Sequence, residues 1–451
     1  MLFAVLALRQ LFIAVVDAPG LDANAHNPRR ANVAQGRGSI LARDGTPLAI
    51  SRGERRTYPQ GDLLAQSIGY ASARYGTSGL EDAYDRVLTP RPPSADPLAD
   101  LRALATGGRA APRGADIVTT IDLPIERALF SELAAYPRAA GIVMDPRTGA
   151  VVALASVPSF DPNAVDRDFA ALAVDPRSPL LDRSTEGLYP PGSSFKIVTA
   201  ADALELGIAT PQTLYHDPGG LKVGNFTFHD DEDEAIGTQT LTGAFALSSN
   251  VDFGQVALQI GAERWLEEAA RWGLGASLDF DLPAAHDRIP DRSGLTPGVL
   301  AQLGFGQASL LVTPLRMALV GATIADGGTT PRPYLVRRIA GSDTSIATRP
   351  EQLAQPISAG TAAEVRDMMI AVVQHGTGRA ANLPGVAVAG KTGTATLRAG
   401  LRSHAWFVAF APALAPRYVV AVVVENVGYG GTYAAPIARR VLRVALAQPR
   451  T

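Results

Sequence analysis

The chain writes its basic residues almost entirely as arginine: of 41, three are lysine, namely Lys196, Lys222 and Lys391. A guanidinium stays protonated at any useful pH, whereas a lysine ammonium can be tuned to give up its proton. A sequence with this preference keeps lysine where arginine would fail, so the three lysines are the first places to look for chemistry. Lys196 follows Ser193 by three residues in Tyr189-Pro190-Pro191-Gly192-Ser193-Ser194-Phe195-Lys196. Lys391 opens Lys391-Thr392-Gly393-Thr394, and Ser248-Ser249-Asn250 lies between the two. Lys222 sits in a polar, Gly-rich stretch outside both.

A serine hydroxyl is a weak nucleophile without a base beside it. Pro191-Gly192-Ser193 precedes an apolar run ending at Gly207, which places Ser193 at a helix amino terminus. Free N–H groups there can hold a developing oxyanion, and Lys196 lies on the same helix face, within reach of the hydroxyl. A desolvated lysine near other positive charge can serve as the base. Ser248 offers a second hydroxyl to relay a proton, and the amide of Asn250 can both donate to and accept from a peptide. Lys391-Thr392-Gly393-Thr394 ends a strand. Gly393 leaves room for a substrate backbone at the strand edge, and Lys391, Thr392 and Thr394 offer charge and hydroxyls to a carboxylate. Alone, each motif is weak: a serine three residues before a lysine arises by chance, S-x-N reads as a helix cap, and K-T-G as a turn. Their order, with the helix start and the strand, is what carries the reading.

The elements that must position these residues give an α+β fold. Residues 117–121 read as a strand, with a helix from Pro124. Residues 140–146 and 149–156 form a hairpin turned at Arg147-Thr148-Gly149. Late strands cover 386–395, 404–411 and 418–425, with a last helix over 435–447. Helices fill the middle at 194–206, 251–260, 263–272 and 312–326. Early and late strands around a helical middle imply an antiparallel sheet where the two ends of the chain meet, with helices on both sides. Upstream, residues 37–49 read as two strands around the Asp44-Gly45 turn, and 58–88 as a mixture of helix and loop. The stretch 89–114, rich in Pro, Ala, Gly and Arg and with helical tendency near 98–104, is the boundary region. The expected division is an anchor or signal segment at 1–16, a linker at 17–36, a small non-catalytic domain at 37–113 and a catalytic domain at 114–451.

Other chemistries fare worse. The chain has no cysteine, which excludes disulfides, thiolate metal sites and cysteine nucleophiles. A formal charge of -2 gives no argument for nucleic acid. The histidines lack paired metal spacing. His229 to Glu234 lacks the glycine and spacing of a calcium loop and reads as a solvated acidic loop. Phe195 stands where G-x-S-x-G needs glycine. Gly376-Thr377-Gly378 reads as a turn. The apolar run at 1–16 is interrupted by Arg9 and Gln10 and is shorter than the roughly 20 residues of a spanning helix. It reads as a membrane anchor cut short, as a signal-peptide core before Ala23-Asn24-Ala25, or as a buried helix.

With these residues in place, the chain resembles the class B penicillin-binding proteins, and most of all the small penicillin-binding protein A subgroup. The motifs around Ser193, Ser248 and Lys391 carry the likeness. So do Arg37-Gly38-Ser39-Ile40, Gly304-Phe305-Gly306-Gln307, Val312-Thr313-Pro314-Leu315, Gly376-Thr377-Gly378 and His404-Ala405-Trp406-Phe407. The resemblance implies a penicillin-binding transpeptidase domain behind a small pedestal, with Ser193 acylated, Lys196 its base, Ser248 the proton relay and Asn250 holding the acyl peptide. Lys391 and Thr392 would act on the terminal carboxylate and the electrostatics, with Thr394 contributing. The N–H groups of Ser193 and Thr394 would form the oxyanion hole. It implies peptidoglycan stem peptides ending in D-Ala-D-Ala as substrate, β-lactams as inhibitors and no cofactor. It also implies a SEDS-type glycosyltransferase and division or elongation proteins as partners, and anchorage in the cell membrane by the N-terminus with the catalytic domain outside. The competing readings are a D,D-carboxypeptidase or a β-lactam-hydrolysing or β-lactam-sensing protein on the same fold, and a non-catalytic division scaffold.

Overall fold

The computed structural model describes residues 34–90, 113–230, 235–341, 345–396 and 402–449. The expected anchor at 1–16, most of the linker, the helical tendency near 98–104 and residues 231–234 lie outside them. Among the described residues, no helix is long and apolar enough to cross a membrane.

The first elements are β1 (Ile40–Leu41), β2 (Pro47–Arg52) and β3 (Arg55–Thr57). The β1–β2 turn forms as its Asp-Gly pair demands: Gly45 takes φ +87° and Asp44 accepts from Thr46 N at 2.9 Å. Next come β4 (Asp116–Thr119), α1 (Leu123–Leu133), β5 (Ala139–Met144) and β6 (Val151–Val157). The middle holds α2 (Lys196–Glu205), α3 (Leu241–Leu247), α4 (Asn250–Ile260) and α5 (Pro314–Ala325). Then follow β7 (Val336–Ala340), β8 (Ser345–Ala347) and α6 (Ala359–Gln374). The chain closes with β9 (Ala389–Ala395), β10 (His404–Ala411), β11 (Tyr418–Val424) and α7 (Gly430–Ala447).

The large sheet has the order β9-β10-β11-β5-β6, antiparallel throughout, so the last three strands join the early hairpin between β11 and β5. Apart from β9, which carries Lys391 and two threonines, its strands are largely apolar without alternation because both faces are covered. Val420, Val422 and Val424 face α1 and α7, packing with Ile125, Leu129, Ile437 and Val441. Val419, Ala421 and Val423 face the other way, into the core that includes Leu315 and Leu319 of α5 and Ile197 of α2.

A second sheet runs β8-β7-β4-β1-β2-β3. In it Ile40 pairs with Ile117 in parallel, and β4 pairs on its other side with β7. The boundary expected at 113/114 therefore falls just before a strand whose sheet draws from both parts of the chain. α7 starts five residues before the expected 435, because Gly430 packs directly on the sheet: a Cβ there would lie 2.3 Å from Trp406 O. Near β1, Glu81 is buried between two guanidinia. Arg37 Nε and Arg56 Nε each lie 2.6 Å from its carboxylate, and the Tyr58 hydroxyl donates to it at 3.2 Å.

Candidate active site

Ser193 lies in a 3₁₀ turn, Gly192–Phe195, that runs straight into α2. The expected helix start at 194 is thus a tighter turn, in which residues three apart eclipse. Lys196 Nζ accordingly lies 2.9 Å from Ser193 Oγ. The turn is held from three sides. Gly192 N donates to Gly306 O at 2.9 Å, and the Trp406 indole donates to Pro190 O at 3.0 Å. Tyr189 and Val312 exchange backbone hydrogen bonds at 3.0 and 2.9 Å. Burial pushes the Tyr189 phenol well above its ordinary value, the nearby Glu425 charge adding to it, and the hydroxyl donates to Glu425 at 2.9 Å. Gly192 takes φ +53°, and a Cβ there would lie 2.4 Å from Thr394 O. Only glycine lets the turn and β9 come this close.

Ser248 closes α3 in left-handed backbone, φ 70°, and Ser249 caps α4 by accepting from Asp252 N. This break aims both Ser248 and Asn250 at the lysines. Lys196 Nζ lies 2.5 Å from Ser248 O, 3.3 Å from Ser248 Oγ and 2.9 Å from Asn250 Oδ1. Lys391 Nζ lies 2.8 Å from Ser248 Oγ. Both lysines are fully buried, each 5.5 Å from the centre of an aromatic ring, Phe253 for Lys196 and Phe245 for Lys391. The two rings are themselves in contact. The result is a continuous polar chain, Ser193–Lys196–Ser248–Lys391, in which one hydroxyl stands between two amines. A cavity of about 520 Å³ opens over Ser193, Asn250 and Thr394, with Phe305, Arg402 and Tyr429 among its other walls.

The expected carboxylate-binding set divides here. Alternation along β9 sends Lys391 and Gly393 towards the Ser193 turn and Thr392 and Thr394 to the opposite face. Lys391 is buried on Ser248, so its charge stands beside the relay. Thr392 is buried against Thr377, with the two hydroxyls 2.6 Å apart. Gly393 makes room for the turn: a Cβ would lie 2.7 Å from Pro191 O. Thr394 and Thr396 reach the cavity.

Sequence reasoning missed three contributors. Thr377 bridges α3 and β9, its N–H donating to Ala246 O at 3.1 Å and its hydroxyl meeting Thr392. Gly306, φ +72°, sits so close to the nucleophile turn that a Cβ would lie 2.2 Å from Gly192 O. Asp230 was expected in a solvated loop, but it is half-buried and its carboxylate accepts from the N–H groups of Asn250 and Val251. The Gly-x-Gly spacings around Thr377 and Phe305 were the available signals for the first two; nothing in the sequence singles out Asp230.

Comparison with known proteins identifies the family. Residues 139–443 match the family described as penicillin binding protein transpeptidase domain, and residues 37–117 match the penicillin binding protein A dimerisation domain. The chain is 36% identical over 423 residues to the peptidoglycan D,D-transpeptidase PbpA of Mycolicibacterium smegmatis, covering 87% of this chain and 84% of that protein. It is 34% identical to PbpA of Mycobacterium tuberculosis, covering 99% of this chain and 96% of that one. A crystal structure of penicillin-binding protein A from M. tuberculosis, as a ceftriaxone acyl-enzyme complex, superposes with a TM-score of 0.83 at 32% identity, covering 92% of this chain and all (100%) of that one. A D,D-transpeptidase domain from Eggerthella lenta superposes with a TM-score of 0.82 at 35% identity, covering 92% and 98%. Motif order, site geometry and these likenesses agree: the chain belongs to the class B penicillin-binding protein transpeptidases.

Proposed function

We infer that the protein is a peptidoglycan D,D-transpeptidase that works through a Ser193 acyl-enzyme. The observation that carries this is the polar chain from Ser193 through Lys196 and Ser248 to Lys391, opening on the cavity beside Thr394. Ser193 Oγ attacks the carbonyl of the penultimate D-alanine of a stem peptide while Lys196 takes the hydroxyl proton. The N–H groups of Ser193 and Thr394 hold the oxyanion. The C–N bond to the terminal D-alanine breaks, and Ser248 passes the proton to the leaving amine, which departs as D-alanine. An amine from a neighbouring stem then attacks the Ser193 ester, forms the cross-link and returns the proton to the serine. A β-lactam acylates the same oxygen, but its leaving amine stays tethered, so the ester persists. Lys391 holds Ser248 and supplies positive charge beside the relay, a setting that favours the uncharged form of Lys196.

Two parts of the reading rest on sequence. The run at 1–16 is taken as a membrane anchor that leaves the catalytic domain outside the cell membrane. Glycan polymerisation is assigned to a partner of the SEDS glycosyltransferase type, on the family resemblance alone. Fluorescent penicillin followed by peptide mapping tests the central assignment. The label belongs on the peptide containing Ser193 and disappears in Ser193→Ala; label on any other residue would refute it.

A further inference from the structure

The reaction above uses the side chains of Ser248 and Asn250, and something must hold them. α4 begins at Asn250, so its first N–H groups have no acceptor within the helix. Asp230 supplies one: its Oδ1 accepts from the N–H of Asn250 and, at 3.3 Å, from that of Val251. The carbonyl of the preceding residue, His229, accepts from Asn250 Nδ2 at 3.2 Å. Two successive residues of one loop therefore grip Asn250 by its backbone and its amide nitrogen. The remaining atom, Oδ1, points at Lys196 Nζ from 2.9 Å. Behind Asp230 lies the buried Asp217, whose carboxylate accepts from Gly219 N at 2.8 Å and from Ser249 Oγ at 3.4 Å.

We propose that Asp230 is a positioning residue for acylation, clamping the start of α4 so that Asn250 Oδ1 is delivered to Lys196. The proposal rests on the acyl-enzyme reading above. The charged groups that act on Asp230 are Asp217 from the strand Leu214–Asp217 and Lys196 from α2, and His229 precedes it in its own loop. Burial pushes the Asp230 carboxyl up to about 6; the neighbouring Asp217 carboxyl adds to this, while the Asn250 N–H and the Lys196 charge oppose it. Above that pH the charge on Asp230 favours the ammonium form of Lys196 and so opposes its work as a base.

Two variants separate position from charge. Asp230→Asn keeps an oxygen for both N–H groups and removes the charge; Asp230→Ala removes the acceptor as well. Asp230→Ala should slow penicillin acylation by about 10²-fold, the cost of a misplacement on the order of 1 Å, at every pH. Asp230→Asn should match wild type below pH about 6 and equal or exceed it above. Melting temperatures accompany each rate. Wild-type rates in Asp230→Ala would overturn the proposal, as would an Asp230→Asn protein as slow as Asp230→Ala. If Asp230→Ala does not fold, the Asp230→Asn profile decides alone: a fall below wild type contradicts the clamp, and a match sustains it. Failure of the wild-type protein to acylate would instead sink the transpeptidase reading.

Discussion

Buried charge is handled in opposite ways in two regions of this molecule. Near β1, Arg37 and Arg56 converge on Glu81, with all three buried and the guanidinium–carboxylate contacts at 2.6 Å. Guanidinia stay protonated at any useful pH, and these two meet a shared carboxylate, with Asp85 as a second partner of Arg37. In the catalytic domain, Lys196 and Lys391 are buried among serine hydroxyls, backbone carbonyls, the Asn250 amide and two phenylalanine rings. The charges of Asp230 and Asp252 also act on Lys196, but its hydrogen bonds to Ser193, Ser248 and Asn250 go to neutral acceptors, which stabilise an ammonium less than a carboxylate does. The first arrangement fixes a fold; the second leaves a proton free to move. The division of labour between arginine and lysine in the composition follows from this difference.

The largest expected effect comes from breaking the structural cluster. Glu81→Ala removes the carboxylate that Arg56 meets and leaves Arg37 with the half-exposed Asp85, and should cost about 3–5 kcal/mol. The expected result is a much lower melting temperature, with protein that remains folded still acylated by penicillin. Equal loss of acylation in the folded fraction would mean that the two regions are not separable. Lys391→Arg should follow. The charge beside Ser248 survives, but a planar guanidinium does not fit a pocket shaped for an ammonium, so acylation should fall by roughly tenfold, at most the lower end of general acid–base contributions. An unchanged rate would remove Lys391 from the relay.

Glu126 sharpens the comparison, because it is a buried acid among whose contacts no cation stands. It accepts from Leu154 N at 2.8 Å, its Oε1 has no hydrogen-bond partner, and burial pushes its carboxyl well above the ordinary value. A raised folded pKa gives stability that is present at low pH and is lost as pH rises towards it. Glu126→Gln, which cannot ionise, should therefore gain stability relative to wild type between pH 5 and pH 8, read from paired melting curves. A constant difference across that range would count against a buried neutral acid. The smallest effect belongs to Lys222→Arg. Lys222 is exposed on a short hairpin strand outside the relay, and both acylation rate and melting temperature should stay at wild-type values.

The relay was legible in the sequence because residue type, spacing and local structure coincided. A serine at a helix start followed three residues on by lysine puts both groups on one face whatever surrounds them, and the continuous apolar runs at 404–411 and 418–424 could only be buried strands. What escaped depends on contacts between distant segments. Asp230 finds Asn250 across 20 residues, and Thr377 meets Thr392 across a turn, through polar loop residues that carry no periodicity. The sheet joining β1, β4 and β7 spans the composition break that suggested a domain boundary. Strand alternation fixes which residues of β9 share a face but not which face meets the Ser193 turn, so the burial of Lys391 on Ser248 was not legible.

The most direct test of the account is the penicillin acylation rate constant of Lys196→Arg, measured against wild type at matched melting temperature. Arginine keeps the positive charge and a similar reach but holds its proton at neutral pH. If Lys196 is the base for Ser193, acylation should fall by about 10²–10⁴-fold while the protein stays folded. A near-normal rate would contradict the account and leave the proton of Ser193 to another acceptor.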